Sequence, residues 1–218
     1  MDMNADRWAF TSKYLSDVFG REPPAFARIR ENAVAAGLPP IAISADVGRL
    51  LTLLASTTRG LRGLEIGTLG GYSAAWIAKG MRPGSQLLSL ELETAHAEVA
   101  RKSLTEAGMD NVEVRVADAR LELSKLAFAK ESLDVVFIDA DKESYVAYFD
   151  AVKDWIAPGG LLMADNVMGA RAWWIDMIEH PARRAVDEFN RRVVADERFE
   201  VIAVPIREGV LVARRKDA

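Results

Sequence analysis

Val135-Val136-Phe137-Ile138-Asp139-Ala140-Asp141-Lys142 runs four apolar residues, each β-branched or aromatic, directly into two acids and an amine. A continuous run of that kind reads as a strand buried on both faces, the mark of a parallel sheet covered by helices. Charges at the carboxyl end of such a strand face the crevice where open α/β sheets bind ligands. A second apolar run, Leu161-Leu162-Met163-Ala164, ends the same way in Asp165-Asn166. If the two strands are neighbours, Asp139, Asp165 and Asn166 bring three oxygen ligands into one crevice, a donor set suited to a divalent metal.

Outward from these runs, short apolar stretches alternate with helical patterns. The stretches are Gly63–Ile66, Gln86–Leu90, Val112–Val116, Asp134–Ile138 and Gly160–Ala164; the helical patterns between them are Tyr72–Lys79, Thr94–Ala107, Ala119–Phe128 and Tyr145–Ile156. Parallel neighbours need a crossover, so this alternation predicts a mostly parallel sheet with helices on both faces. After a helix over Arg183–Val194, the strands Phe199–Pro205 and Gly209–Arg214 are joined by Ile206-Arg207-Glu208, short enough for an antiparallel hairpin. Ahead of the series, Trp8–Phe19 and Ala25–Ala36 read as helices closed by Gly20 and Gly37. A third helix starts at Ser44, whose hydroxyl is expected to cap free amides. The fold class is therefore α/β: a doubly wound, Rossmann-like seven-stranded sheet, mostly parallel with a C-terminal antiparallel hairpin, plus N-terminal helices. A single domain over 1–218 is expected, with 1–43 a helical preface and 44–218 the core.

Composition narrows the function classes. The 218 residues are half apolar and 28% charged with a net charge of −4, so no dominant field supports nucleic-acid or membrane-surface binding. With no cysteine, disulfides and thiolate chemistry are excluded. The N-terminus lacks a signal-peptide pattern and no apolar run approaches the ~20 residues of a membrane span, which makes a soluble cytoplasmic protein the expectation.

The first strand runs into Glu65-Ile66-Gly67-Thr68-Leu69-Gly70-Gly71-Tyr72-Ser73. Glycines here allow a tight turn and close approach to a ligand, and the next helix offers free amides at its start. The spacing is G-x-x-G-G rather than the dinucleotide G-x-G-x-x-G, which disfavours a nicotinamide dehydrogenase. Glu91 ends the second strand, where a carboxylate can accept both ribose hydroxyls. Asp118, after the third strand, could meet an adenine amino group.

Together, Leu64-Glu65-Ile66-Gly67 with Gly71-Tyr72-Ser73, Phe137 to Lys142, and Asp165-Asn166 resemble the cation-dependent O-methyltransferases of the caffeoyl-CoA and catechol type. The resemblance runs from about Ser44 to the last strands. It implies S-adenosylmethionine bound by Glu65, Gly67, Tyr72, Ser73, Glu91, Asp118, Ala119 and Asp139. It also implies a divalent cation on Asp139, Asp165 and Asn166, Lys142 as the catalytic base beside Asp139, and a homodimer. Three hard oxygen donors suit magnesium first, with calcium or manganese as alternatives. The sequence departs from the family at Ala117, where glycine is common, and at Asp141, where the catechol enzymes carry a tryptophan. The segment from Val167 to Pro181, which includes Trp173-Trp174, matches no acceptor subclass.

The chemistry follows. A phenol with a pKa near 10 is a poor nucleophile at pH 7, and a dication chelated by two adjacent oxygens lowers that pKa and fixes the attack geometry. A small vicinal dihydroxyphenyl acceptor is thus expected, with Lys142 depressed in pKa by burial and the dication so that it takes the proton. A metal-independent methyltransferase acting on another nucleophile and a non-catalytic S-adenosylmethionine-binding sensor remain as alternatives. Tyr145 reads as packing, His96 and His180 as surface or capping residues, and the arginine pairs as solvated or dimer-facing. One of Trp173 and Trp174 at most lines an acceptor pocket, and Asp141 fits either cofactor contact or support of the metal site.

Overall fold

The computed structural model describes residues 5–169 and 179–217. Seven strands, β1 Arg62–Ile66, β2 Gln86–Glu91, β3 Val112–Val116, β4 Leu133–Ile138, β5 Ile156–Asp165, β6 Phe199–Val204 and β7 Val210–Arg215, form one sheet in the order β3-β2-β1-β4-β5-β7-β6. The first five are parallel, and β7 lies antiparallel to both β5 and β6. The chain leaves β1 toward β2 on one side and returns to β4 on the other, so the switch point lies between β1 and β4.

The described helices are α1 Ala5–Phe19, α2 Pro24–Ala35, α3 Ala45–Ser56, α4 Tyr72–Gly80, α5 Thr94–Glu106, the one-turn α6 Ala119–Glu122, α7 Tyr145–Val152 and α8 Pro181–Val194. Alternation along β4 explains why helices cover both faces. Val135 and Phe137 join a core with Leu51 of α3 and Trp76 of α4, whereas Val136 and Ile138 join a second core with Tyr145 and Phe149 of α7 and Phe189 of α8. A strand feeding two cores is buried at every position, and from Val135 to Ile138 it is apolar throughout.

Three local expectations are corrected. The helix expected over Ala119–Phe128 is a single turn, and the one expected over Tyr145–Ile156 stops at Val152 because β5 already begins at Ile156. Pro158-Gly159-Gly160 sits inside β5 where the register with β4 shifts, an irregularity that spares proline a ladder hydrogen bond. Ser44 precedes α3 but donates its hydroxyl to the Asp46 carboxylate instead of capping an amide.

The preface is fastened to the core. Phe26 and Ile29 of α2 are buried with Trp76, and Arg49 of α3 donates to the Phe19 and Arg21 carbonyls. By contrast α1 exposes Trp8, Phe10, Tyr14 and Phe19, each more than half accessible. No helix among the described residues is long and apolar enough to cross a membrane.

Candidate functional site

A cavity of about 890 Å³ opens at the carboxyl ends of β1, β2, β3 and β4. That volume is at the upper end of the range for small-molecule sites. Its floor carries Gly67, Glu91, Asp118, Asp139 and Asn166, and its opposite wall is apolar, built by α2 and the segment that follows it, including Ala33, Leu38 and Ile41. The N-terminal preface, whose place the sequence left open, thus closes the site.

Gly67 makes the floor possible. Its φ is +94°, and a Cβ there would lie 2.0 Å from the Asp139 carbonyl oxygen, so only glycine lets the ends of β1 and β4 meet. Beyond it the loop is held by Glu91, whose Oε2 accepts from the amides of Thr68 at 3.1 Å and Leu69 at 2.7 Å while Oε1 accepts from Glu93 at 2.9 Å. A carboxylate offers about four lone-pair sites. Three are therefore taken by backbone, and the expectation that Glu91 accepts two ribose hydroxyls meets a group already serving as the loop's anchor. His96 also lines the cavity, with Nδ1 3.6 Å from Glu91.

Glu65 is fully buried in β1, as a strand charge with a purpose should be, and accepts from the Ser89 hydroxyl, which in turn meets Thr68. Its Oε1 has no hydrogen-bond partner among the described residues. Burial pushes its carboxyl up to about 8 against the opposing influence of Ser73 and Ser89. Ser73 lines the cavity at the start of α4. Tyr72 lines it too, but its hydroxyl donates to Glu22 at 2.6 Å and the Arg30 guanidinium lies 5.4 Å from its ring centre. Asp118 caps α6 by accepting from the Arg120 amide, and its carboxylate is also gripped by the Arg120 guanidinium, which holds it below the usual carboxylate range. Ala119 is buried behind it. Asp141, unassigned by sequence, accepts from the Tyr148 hydroxyl at 2.6 Å, and both line the cavity.

On the other side, Ile138 pairs with Ala164, so Asp139 and Asp165 are the next residues on adjacent parallel strands. Asn166 follows in a left-handed conformation, φ +60°, and lines the cavity. Asp165 is 2% exposed, and its Oδ1 is a buried carboxylate oxygen with no partner among the described residues. Burial, reinforced by the nearby Asp139 charge, pushes it up to about 7. Two adjacent carboxylates, one with an orphaned oxygen, plus an amide oxygen fit a hard divalent cation. Among the described residues no group of three His, Cys, Asp or Glu side chains is placed to hold a metal, so the carboxylates alone do not make a complete set.

Lys142 lies in a single 3-10 turn and donates to Asp139 Oδ1 at 2.9 Å and to the Tyr145 hydroxyl. Burial lowers its pKa as expected, but Tyr145 and Asp139 outweigh burial, and the net shift is upward. The expected depression combined burial with the field of a dication; without the dication, the two neighbouring oxygens prevail.

The sequence missed Tyr145 and Tyr148. Both fall at helical spacing from Lys142 and Asp141, three and seven residues on, which was the available signal. His180 caps α8 by accepting from the Ala182 amide, as anticipated, whereas Arg215 is not a solvated surface group: 13% exposed, it donates to the Ile156 carbonyl. Trp173 and Trp174 lie outside the described residues.

The model of a family described as O-methyltransferase matches residues 16–216. A protein named catechol O-methyltransferase from Mycobacterium tuberculosis is 43% identical over 156 residues, 71% of this chain and 70% of that one. Another of that name from Niastella koreensis is 33% identical over 196 residues, 89% of each chain. Among solved structures, an O-methyltransferase from Bacillus cereus in complex with SAH superposes with a TM-score of 0.84 at 31% identity, covering 97% of this chain and 99% of that one.

Proposed function

The chain belongs to the O-methyltransferase family, and on that premise we propose that it transfers a methyl group from S-adenosylmethionine to one hydroxyl of a small vicinal dihydroxyphenyl acceptor, with Asp139, Asp165 and Asn166 holding a divalent cation. The observation that carries the cation is the orphaned oxygen of Asp165, buried beside Asp139 at the carboxyl end of β5. A buried carboxylate oxygen without a partner is costly unless a proton or a cation meets it. When bound, a divalent cation, magnesium by preference and calcium or manganese as alternatives, would supply Lewis-acid chemistry that lowers the pKa of the reacting hydroxyl.

The chain's own residues supply the rest. The glycine loop, anchored by Glu91, and the buried Glu65 face the methionine part of the donor with Ser73. Tyr72 and Gly67 shape that end, while the Asp118-Ala119 turn and Asp139 border its nucleoside part. In the transfer the acceptor oxygen forms a bond to the methyl carbon as the carbon–sulfur bond breaks, so the rate depends on how rigidly the two partners are aligned. Lys142, as the free amine after its ammonium proton has gone to water, accepts the hydroxyl proton; Asp139 keeps its nitrogen in place. The proposal includes a homodimer, for which the exposed aromatic face of α1 is the support.

Turnover of catechol with S-adenosylmethionine and magnesium, followed by mass spectrometry, tests the reading. Chelator should abolish it, and Asp165→Ala should do the same while cofactor binding measured by calorimetry persists. Full turnover in chelator would refute the cation and favour a metal-independent transferase.

A further inference from the structure

Tyr145 is wholly buried at the start of α7, its ring edge-on to Phe189 with centres 5.2 Å apart. Phenylalanine would fill that space equally well, so it is the hydroxyl that calls for an explanation. It lies 3.0 Å from the Asp165 carbonyl and 3.3 Å from the Ile138 carbonyl, the ends of the two strands that deliver Asp139 and Asp165. A phenol has one proton to give, and the nearer Asp165 carbonyl is its acceptor. The oxygen's lone pairs then remain for Lys142 Nζ, which donates to it as well as to Asp139. A lysine amine on a four-carbon stem is otherwise free among many rotamers. Here two oxygens from two elements fix it.

We infer that Tyr145 is the positioning residue for Lys142, fixing its nitrogen relative to the strand ends so that the amine meets the acceptor hydroxyl; this rests on the reading of Lys142 as proton acceptor. Tyr145 touches no substrate and acts through Lys142 alone.

The test is a double-mutant cycle on the full chain with catechol, S-adenosylmethionine and magnesium. Lys142→Met should lower kcat by about 10²- to 10⁴-fold, the range of general-base catalysis. Tyr145→Phe should lower kcat by about ten- to a hundredfold, as misplacement of a catalytic group does, with both KM values within about twofold of wild type. The double variant should be no slower than Lys142→Met alone. Tyr145→Met, which removes ring and hydroxyl together, should show the same dependence on Lys142 even if it is less stable. Additive losses in the double variant, a loss confined to KM, or wild-type kcat in Tyr145→Phe would overturn the inference. Wild-type kcat in Lys142→Met would instead overturn the base reading itself, a separate outcome.

Discussion

Replacing Gly67 by alanine puts the meeting of β1 and β4 to a quantitative test. The new Cβ would lie 2.0 Å from the Asp139 carbonyl oxygen and 2.8 Å from its carbon, both backbone atoms that no side-chain rotation can clear. Ordinary contact needs more than ~3.2 Å, so the strand ends must separate by about 1 Å. The Asp139 amide donates to the Ile66 carbonyl at 2.9 Å and the Gly67 amide to the Leu90 carbonyl at 2.9 Å, and that separation strains both bonds. Two weakened hydrogen bonds at about 1 kcal/mol each, plus about 1–3 kcal/mol for a non-glycine residue at φ +94°, give roughly 3–5 kcal/mol. In a domain of this size that lowers Tm by roughly 10 °C. Gly84→Ala supplies the control: φ is +82° there, but no atom lies within 4 Å, so only the conformational cost applies. Thermal unfolding followed by circular dichroism, with binding of S-adenosylhomocysteine measured in parallel, reads both variants. Equal Tm shifts in the two would refute the argument from close approach.

Two further outcomes are expected. Glu65, pushed up to about 8 by burial, binds a proton in the folded chain that it releases in the unfolded one at pH 5 to 8. Its contribution is complete below the unfolded value near 4.5 and is lost as pH rises through 8, so the Tm of the cofactor-free protein should fall between pH 5 and 9. Glu65→Gln should remove Glu65's share of that fall, from pH 5 to 8; an unchanged slope would show that Glu65 is ionised throughout. Asp134, 3% exposed at the far end of β4, accepts from the Leu61 and Arg62 amides at 2.9 and 3.1 Å and from Arg59. Asp134→Ala strands those amides, and calorimetry should show about 2–5 kcal/mol less stability with kcat at 20 °C retained.

Burial patterns were legible in the sequence because they are local. The fully apolar run Val135–Ile138 announced a strand covered on both faces, and Asp139 and Asp165 at two strand ends announced a shared crevice. Partners of polar groups were not legible, since each depends on chain far away. Ser44 had the right type and place for a cap, yet Asp46 competes for its hydroxyl. Glu91 was correctly placed at a strand end, but nothing local revealed that three backbone amides would claim it. For Lys142 the lowering effect of burial was legible; the oxygen that opposes it belongs to Tyr145, whose aromatic character in an apolar helix resembles plain packing.

The division of the cavity between a sheet floor and an N-terminal wall bears on how this S-adenosylmethionine-dependent O-methyltransferase can be altered. Ile41 borders the cavity yet is 60% exposed, and its neighbours Pro39 and Pro40 belong to a short connection between two helices. Such a connection tolerates replacement far better than a strand that feeds two cores. The sheet floor and the N-terminal wall are thus separable parts of one cavity. A library confined to Pro39–Ala42 could reshape that wall while every residue of the strand ends stays fixed.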